Sequence, residues 1–331
     1  MPLLTSSYSA PIPFLNRHFQ TVFPRYFRKV KGSFFRERIL TPDRDFLDLD
    51  WSTTGAARIA ILSHGLEGSS HSAYMLGMTK ILNQAGWDVL AWNLRSCSGE
   101  PNWQPCWYHG GRSDDLRSVF SHVLFTKRYS EIVLVGFSLG GNITLKFLGE
   151  HSLDLSALVS KAVVFSVPCS LASAAERLSK GKNLFYARHF INKLKRKVKA
   201  KLHLLPERFQ KIDIDGLKNF IQFDNALTGP VHGFRDANDY WDRCSANRFL
   251  GGIRVPTLIV NALDDPFLGK GCYPFEQARK SPYISLECPA RGGHIGFISL
   301  NHKGAYWSDR RALAFLQEQA EEATCEALYG T

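Results

Sequence analysis

The stretch EIVLVGFSLGGN, residues 131–142, decides how the rest of the chain is read. Ile132–Gly136 is a run suited to a buried strand. It leads straight into Gly136-Phe137-Ser138-Leu139-Gly140-Gly141, and helix formers follow. This is the G-x-S-x-G nucleophile elbow in its strand–turn–helix setting. A serine on so sharp a turn needs neighbours without a Cβ, because bulkier ones would collide with strand and helix. The turn lifts the Ser138 hydroxyl to the top of a sheet. It also places the Leu139 N–H at a helix N-terminus, where it favours an anion.

A nucleophilic serine needs a base, and the base needs an orienting acid. Behind an elbow of this kind the chain order is Ser, then Asp or Glu, then His. Residues 254–267, RVPTLIVNALDDPF, read as a buried strand, Thr257–Asn261, ending in Asp264-Asp265-Pro266. YISLEC (283–288) reads as the next strand, followed by Arg291-Gly292-Gly293-His294. Both segments carry their polar residues just past strand ends, where open α/β sheets hold ligands. His294 is the candidate base, while His302 lies among loop residues before the last helix. Asp264 and Asp265 compete for the acid. The apolar step Pro266-Phe267-Leu268 favours Asp265 and leaves Asp264 to cap loop backbone. ARIAILSHGLEGSS (57–70) reads as a strand, Ile59–Ser63, ending in His64-Gly65-Leu66-Glu67-Gly68. The Leu66 N–H on that turn is the expected second oxyanion donor beside that of Leu139.

Composition narrows the class. A chain of 331 residues with 44% hydrophobic and 21% charged residues is a globular protein, best read as one α/β domain with an inserted cap. No window has the apolar length needed to span a bilayer. MPLLTSSYSAPIPFLNRHF has no positive charge before Arg17 and no clean apolar run, so it does not read as a signal peptide. Seven irregularly spaced cysteines argue for a reducing compartment, and no Cys/His cluster has metal-ligand spacing. A cytoplasmic protein with neither metal nor cofactor is expected.

FFRERIL (34–40) and FLDLDW (46–51) alternate well enough for an opening antiparallel pair. Short apolar runs at 59–63, 88–92, 131–136, 161–166, 256–261 and 283–288 fit a parallel sheet buried on both faces. Helical stretches are expected near 72–86, 113–126, 139–150 and 308–323. Residues 168–250 break this rhythm, and an inserted helical cap is expected there. Within it, LFYARHFINKLKRKVKAKLHLL (184–205) repeats Phe190, Leu194, Val198 and Leu202 among Lys193, Lys195, Arg196, Lys197, Lys199 and Lys201. That is a basic amphipathic helix carrying much of the +11 formal charge. It is open to two readings: a cap helix with its lysines in water, or peripheral contact with anionic lipid headgroups. Nucleic acid is not an expected partner, because aromatic interleaving and DNA-binding motifs are missing.

The chain resembles the α/β-hydrolase superfamily, and within it the YheT-like branch of ABHD-type esterases and lipases. The similarity runs over nearly the whole chain. Asn16–Thr21 resembles the family's "HLQT" segment, Trp92–Asn102 its "NfRGcsGepN" loop, and Tyr108–Gly111 its "YHsG". The elbow Gly136–Asn142 resembles "GfSlGGN", Phe234–Asp236 with Tyr240 the cap's "GFkdaxdYY", Asn261–Phe267 "NAxDDPf", and Gly292–Phe297 "GGHxGf". Ser96 departs from the pattern, standing where "RGcsG" has a glycine.

The resemblance implies an α/β-hydrolase fold, a mostly parallel central sheet with helices on both faces and an inserted helical cap. Its parts would be 1–167 (core with the elbow), 168–250 (cap) and 251–331 (core with acid and base). It implies a serine hydrolase acting on acyl esters of small to medium chain length. Ser138, Asp265 and His294 would be the triad, the second aspartate of "DDP" serving as acid. The family also includes lipases and alcohol acyltransferases, so the acyl acceptor stays open, and an alcohol acyltransferase or a phospholipase using the same triad is an alternative. A non-catalytic lipid-binding module with this fold is the alternative of a different class, and it would have no need of a base on the His294 loop.

Overall fold

In the computed structural model, which describes residues 3–318 apart from 127, 156 and 301–303, nine strands form one sheet. They are β1 (Leu3–Leu4), β2 (Phe35–Leu40), β3 (Phe46–Ser52), β4 (Arg58–Ser63), β5 (Asp88–Trp92), β6 (Glu131–Phe137), β7 (Val159–Phe165), β8 (Thr257–Val260) and β9 (Ile284–Glu287). Their order across the sheet is β1-β9-β8-β7-β6-β4-β5-β3-β2. The pairs β2–β3 and β3–β5 are antiparallel and all others parallel.

The continuous apolar runs of the central strands have a direct cause. Ile59, Ile61, Ile132, Leu134 and Val164 feed one core, and the alternate residues Ala60, Leu62, Val133, Val135 and Val163 feed another. With side chains alternating across a strand, both faces must be covered. Helices α3 (Ser113–Phe125) and α4 (Leu139–Glu150) supply Leu116, Phe120, Ile143 and Phe147 to the first core. Helix α2 (Ala73–Gln84) and the terminal helix Trp307–Gln317 supply Met75, Met78, Leu82 and Phe315 to the second. The fold is the α/β-hydrolase fold expected from the sequence, with helices on both faces of a mostly parallel sheet.

Two elements fall outside the sequence reading. Helix α1, Arg17–Phe27, carries Pro24 in its interior, which a pattern-based reading takes as a stop. It forms nonetheless, because Asn16 Oδ1 accepts the His18 and Phe19 N–H groups at its start. The edge strand β1, two residues long, pairs parallel to β9 and is too short to show in a periodicity. The expected helix at 308–323 is observed as Trp307–Gln317, ending at the C-cap Glu318, while positions 319–323 of that expectation, like His302, lie outside the described residues.

Between β7 and β8 the described residues form helices and turns. The longest is Leu184–Lys201, hereafter the long cap helix. Its buried face is Tyr186, Ala187, Ile191, Leu194 and Val198, while Phe190 and Leu202 are half-buried at its edges. Five of its lysines reach protein groups: Lys195 and Lys199 bond Asp215 on the outer side, and three others, one turn apart, reach inward. Lys193 donates to Glu67 O (3.2 Å), Lys197 to Glu67 Oε1 (2.7 Å), and the buried Lys201 to Asn102 Oδ1 and Cys106 O (2.8 Å each).

Candidate active site

Ser138 stands where β6 turns into α4, with φ 51° and ψ −120°. A non-glycine residue keeps such a conformation only when its surroundings fix it. Here the Ser138 N–H donates to Phe165 O at 2.8 Å, and the Ser138 carbonyl accepts from Asn142 N at 3.0 Å. The neighbouring glycines are steric necessities. A Cβ on Gly136 would lie 2.6 Å from Gly141 Cα, and one on Gly140 would run into the Ser63 and His64 carbonyls.

His294 Nε2 lies 2.9 Å from Ser138 Oγ, and His294 Nδ1 lies 2.9 and 3.1 Å from the two carboxylate oxygens of Asp265. Asp265 is buried, and as a carboxylate it can only accept. Nδ1 therefore carries the imidazole proton, and Nε2 is left to accept from the serine hydroxyl. Phe267 stacks on the imidazole at 4.0 Å, and its N–H donates to Asp265 Oδ1 at 2.8 Å. The neighbouring aspartate does different work: Asp264 Oδ1 accepts from Gly293 N at 2.9 Å and ties the two loops together.

The backbone donors sort themselves by elimination. On the turn after β4, the Gly65 N–H goes to Tyr74 Oη (3.0 Å), the Glu67 N–H to Tyr108 Oη (3.0 Å) and the Gly68 N–H to Gly65 O (3.0 Å). Among the described residues the Leu66 N–H has no such partner, nor has the Leu139 N–H at the start of α4. Gly65 lets this turn approach the serine, since a Cβ there would lie 3.0 Å from Ser138 Cβ. His64 is fully buried behind the turn. Its Nε2 accepts from Leu94 N (3.1 Å), its Nδ1 donates to Gly65 O (2.8 Å), and burial pushes its pKa down to about 4. A neutral imidazole in a fixed tautomer thus pins the turn between two strand ends.

Several supporting residues were not legible from the sequence. Thr21 Oγ1 accepts from His294 N (2.9 Å) and Ser166 Oγ from Ile295 N (2.9 Å), so α1 and the end of β7 hold the base loop. The segment Asn16–Thr21 is conspicuous in sequence, but only the packing of α1 against Gly293 and Gly296 says what it does. Glu67 is almost fully buried and is held by Tyr108 Oη (2.7 Å) and Lys197 Nζ (2.7 Å). Lys197 also donates to Cys97 Sγ at 3.0 Å, yet burial dominates and pushes that thiol up to about 11. Ser96 has φ 61°, which explains why a glycine suits this position. Its Oγ donates to Asn102 Oδ1 (2.6 Å) and accepts from Asn102 N (3.0 Å), offsetting the strain.

A cavity of about 980 Å³ contains Ser138 and His294 on its wall. Leu171, Ala175, Leu178, Leu194, Phe220 and Trp241 contribute apolar surface to its lining. The lining also includes the cations Arg25, Lys29 and Lys193 and the carboxylates Glu67 and Asp224.

The alpha/beta hydrolase fold family matches residues 61–299 of this sequence, well over half of the chain, a span that includes Leu66, Ser138, Leu139, Asp265 and His294. The chain belongs to the α/β-hydrolase family. Within it, the chain is 34% identical over 322 residues to "Putative esterase YheT" of Escherichia coli (strain K12), covering 94% of this chain and 93% of that one. It is 27% identical over 332 residues to "Phospholipase ABHD3" of Mus musculus, covering 97% and 80%. These place this hydrolase in the YheT-like, ABHD-type branch. The Pyrococcus furiosus esterase Pf2001 shares the fold, with a TM-score of 0.57, 16% identity, and coverage of 86% of this chain and 90% of that one.

Proposed function

We propose that this carboxylic ester hydrolase works through an acyl-enzyme on Ser138. His294 takes the serine proton as Oγ attacks the ester carbonyl, and Asp265 holds the Nδ1 tautomer and stabilises the imidazolium. The tetrahedral oxyanion sits on the Leu66 and Leu139 N–H groups, each worth roughly 100- to 1,000-fold in rate. His294 then returns the proton to the departing alcohol, and water repeats the sequence to release the acid. The observation that carries this reading is the unbroken contact from Ser138 Oγ through His294 to Asp265, at 2.9 Å on either side of the ring.

The substrates we assign are acyl esters of small to medium chain length. The cavity of about 980 Å³ is at the upper end for small-molecule sites, and its apolar lining suits an acyl chain. A phospholipid ester is the second reading, favoured by the cations Arg25, Lys29 and Lys193 in the lining. Hydrolysis of p-nitrophenyl esters from acetate to palmitate, run beside Ser138→Ala, tests both parts of the proposal. Turnover should peak at a short or medium chain and fall on the order of a million-fold in the variant. Turnover that persists in Ser138→Ala removes the serine from the mechanism, and a rate that climbs steadily to palmitate removes the chain-length assignment.

A further inference from the structure

The first 36 residues contain Arg17, Arg25, Arg28, Lys29, Lys31 and Arg36 but no aspartate or glutamate; the first acidic residue is Glu37. Two of these cations are neutralised, Arg28 by Asp309 and Arg36 by Asp50. Arg17, Arg25, Lys29 and Lys31 have no ion-pair partner among the described residues, and the last three are exposed. Along α1, Phe19, Phe23 and Phe27 touch in succession, four residues apart, the first pair tilted at 5.4 Å and the second stacked at 4.6 Å. The ladder is rooted through Phe14, which is buried against Ile298 and Tyr306. Its outer members are in water: Phe27 is 65% exposed and Tyr26 64%, and Ile12, on the turn before the helix, is 84% exposed. The same helix borders the cavity of Ser138 through Pro24, Arg25 and Tyr26.

We infer that α1 and the turn before it form a docking surface for an anionic phospholipid bilayer, set beside the opening through which an ester reaches Ser138. Exposed aromatic side chains on a surface helix are driven into the headgroup–acyl boundary, and cations without neighbouring carboxylates draw that helix to negative lipid. The long cap helix is less suited to this role, because Lys193, Lys197 and Lys201 are taken up by protein carbonyls and by Glu67. Because Pro24, Arg25 and Tyr26 of α1 line the same cavity as Ser138, an ester leaving the bilayer beside α1 would enter that cavity directly.

The test is co-sedimentation of the full chain with phosphatidylcholine vesicles, with and without phosphatidylglycerol, at low and high salt. The wild-type protein is expected to bind the anionic vesicles, with weaker binding as salt screens the charges. The pair Ile12→Ser/Phe27→Ser should lose about tenfold or more of this partitioning. The pair Arg17→Gln/Lys31→Gln should lose about fivefold per charge at low salt. Both pairs should hydrolyse water-soluble p-nitrophenyl acetate at the wild-type rate, which reports that they are folded. Equal binding to both kinds of vesicle, binding to neither, or anionic binding unchanged in both pairs would overturn the inference. The readout is binding, so it stands or falls independently of the acyl-enzyme.

Discussion

Asp264 and Asp265 are adjacent, chemically identical and both partly or wholly buried, yet only one touches the imidazole. Asp265 accepts at His294 Nδ1, whereas Asp264 accepts from the Gly293 backbone. The apolar step after Asp265 was legible in the sequence because Phe267 must fold back over the site, and it does so at 4.0 Å from the imidazole. The proposed mechanism therefore separates the two residues sharply. Asp265→Asn should lower kcat by about 10,000-fold, since the amide no longer fixes the tautomer. Asp264→Asn keeps an acceptor for Gly293 N and should lower kcat by less than about tenfold. Steady-state kinetics on a short-chain ester checks both, and equal losses would contradict the assignment of the acid.

At the scale of elements, strands and helices with one strong pattern were readable: the elbow strand β6 with α4, and the two-sided central strands. What could not be read was how distant elements meet. The basic repeat in the long cap helix gave its amphipathic character. It did not reveal that Lys197 would reach across to Glu67, 130 positions earlier in the chain. That pair joins the cap helix to the residue next to the proposed Leu66 donor. Lys197→Met leaves the Glu67 carboxylate with Tyr108 alone. The expected cost is about 3 kcal/mol of stability, at the low end for a buried pair because Lys197 keeps 22% of its side chain exposed. The rate on short esters should fall with it, through kcat more than KM. Adding Glu67→Gln removes the stranded charge and should recover most of the stability. Urea denaturation of the three proteins measures this, and a double variant no more stable than Lys197→Met would count against the latch.

Over the whole molecule, acid sensitivity follows from where the imidazoles are buried. Burial holds His64 and His232 down at about 4, below the ordinary histidine value of 6.5. Below about 6.5 the unfolded chain takes up protons that the fold refuses, so stability is full above that pH and is lost as pH falls towards about 4. Asp224, raised by burial to about 6, works the other way, being protonated in the fold before it is in the unfolded chain. The share of His64 can be isolated in a variant. In His64→Asn the loss of unfolding free energy between pH 6.5 and about 5 should be smaller than in wild type by roughly 1.5 kcal/mol. Chemical denaturation at the two pH values measures it, and parallel losses would mean that His64 is protonated in the fold.

Apart from the edge strand β1 and helix α1, the sheet and the helices on both its faces were accessible from local patterns, as were the turns that carry Ser138, Asp265 and His294. The supports that hold them were not: Thr21, Tyr108 and Ser166 are each defined by a contact far away in sequence, and Tyr74 by the way helix α2 folds back onto the Gly65 turn. The central claim is that Ser138 becomes acylated. It is tested most directly by intact-protein mass after brief mixing with an excess of a p-nitrophenyl ester and quenching in acid, in wild type and Ser138→Ala. The account predicts a mass increase of one acyl group in the wild type, mapped to the peptide containing Ser138 and missing from the variant. An adduct on another residue, or the same adduct in Ser138→Ala, would contradict it.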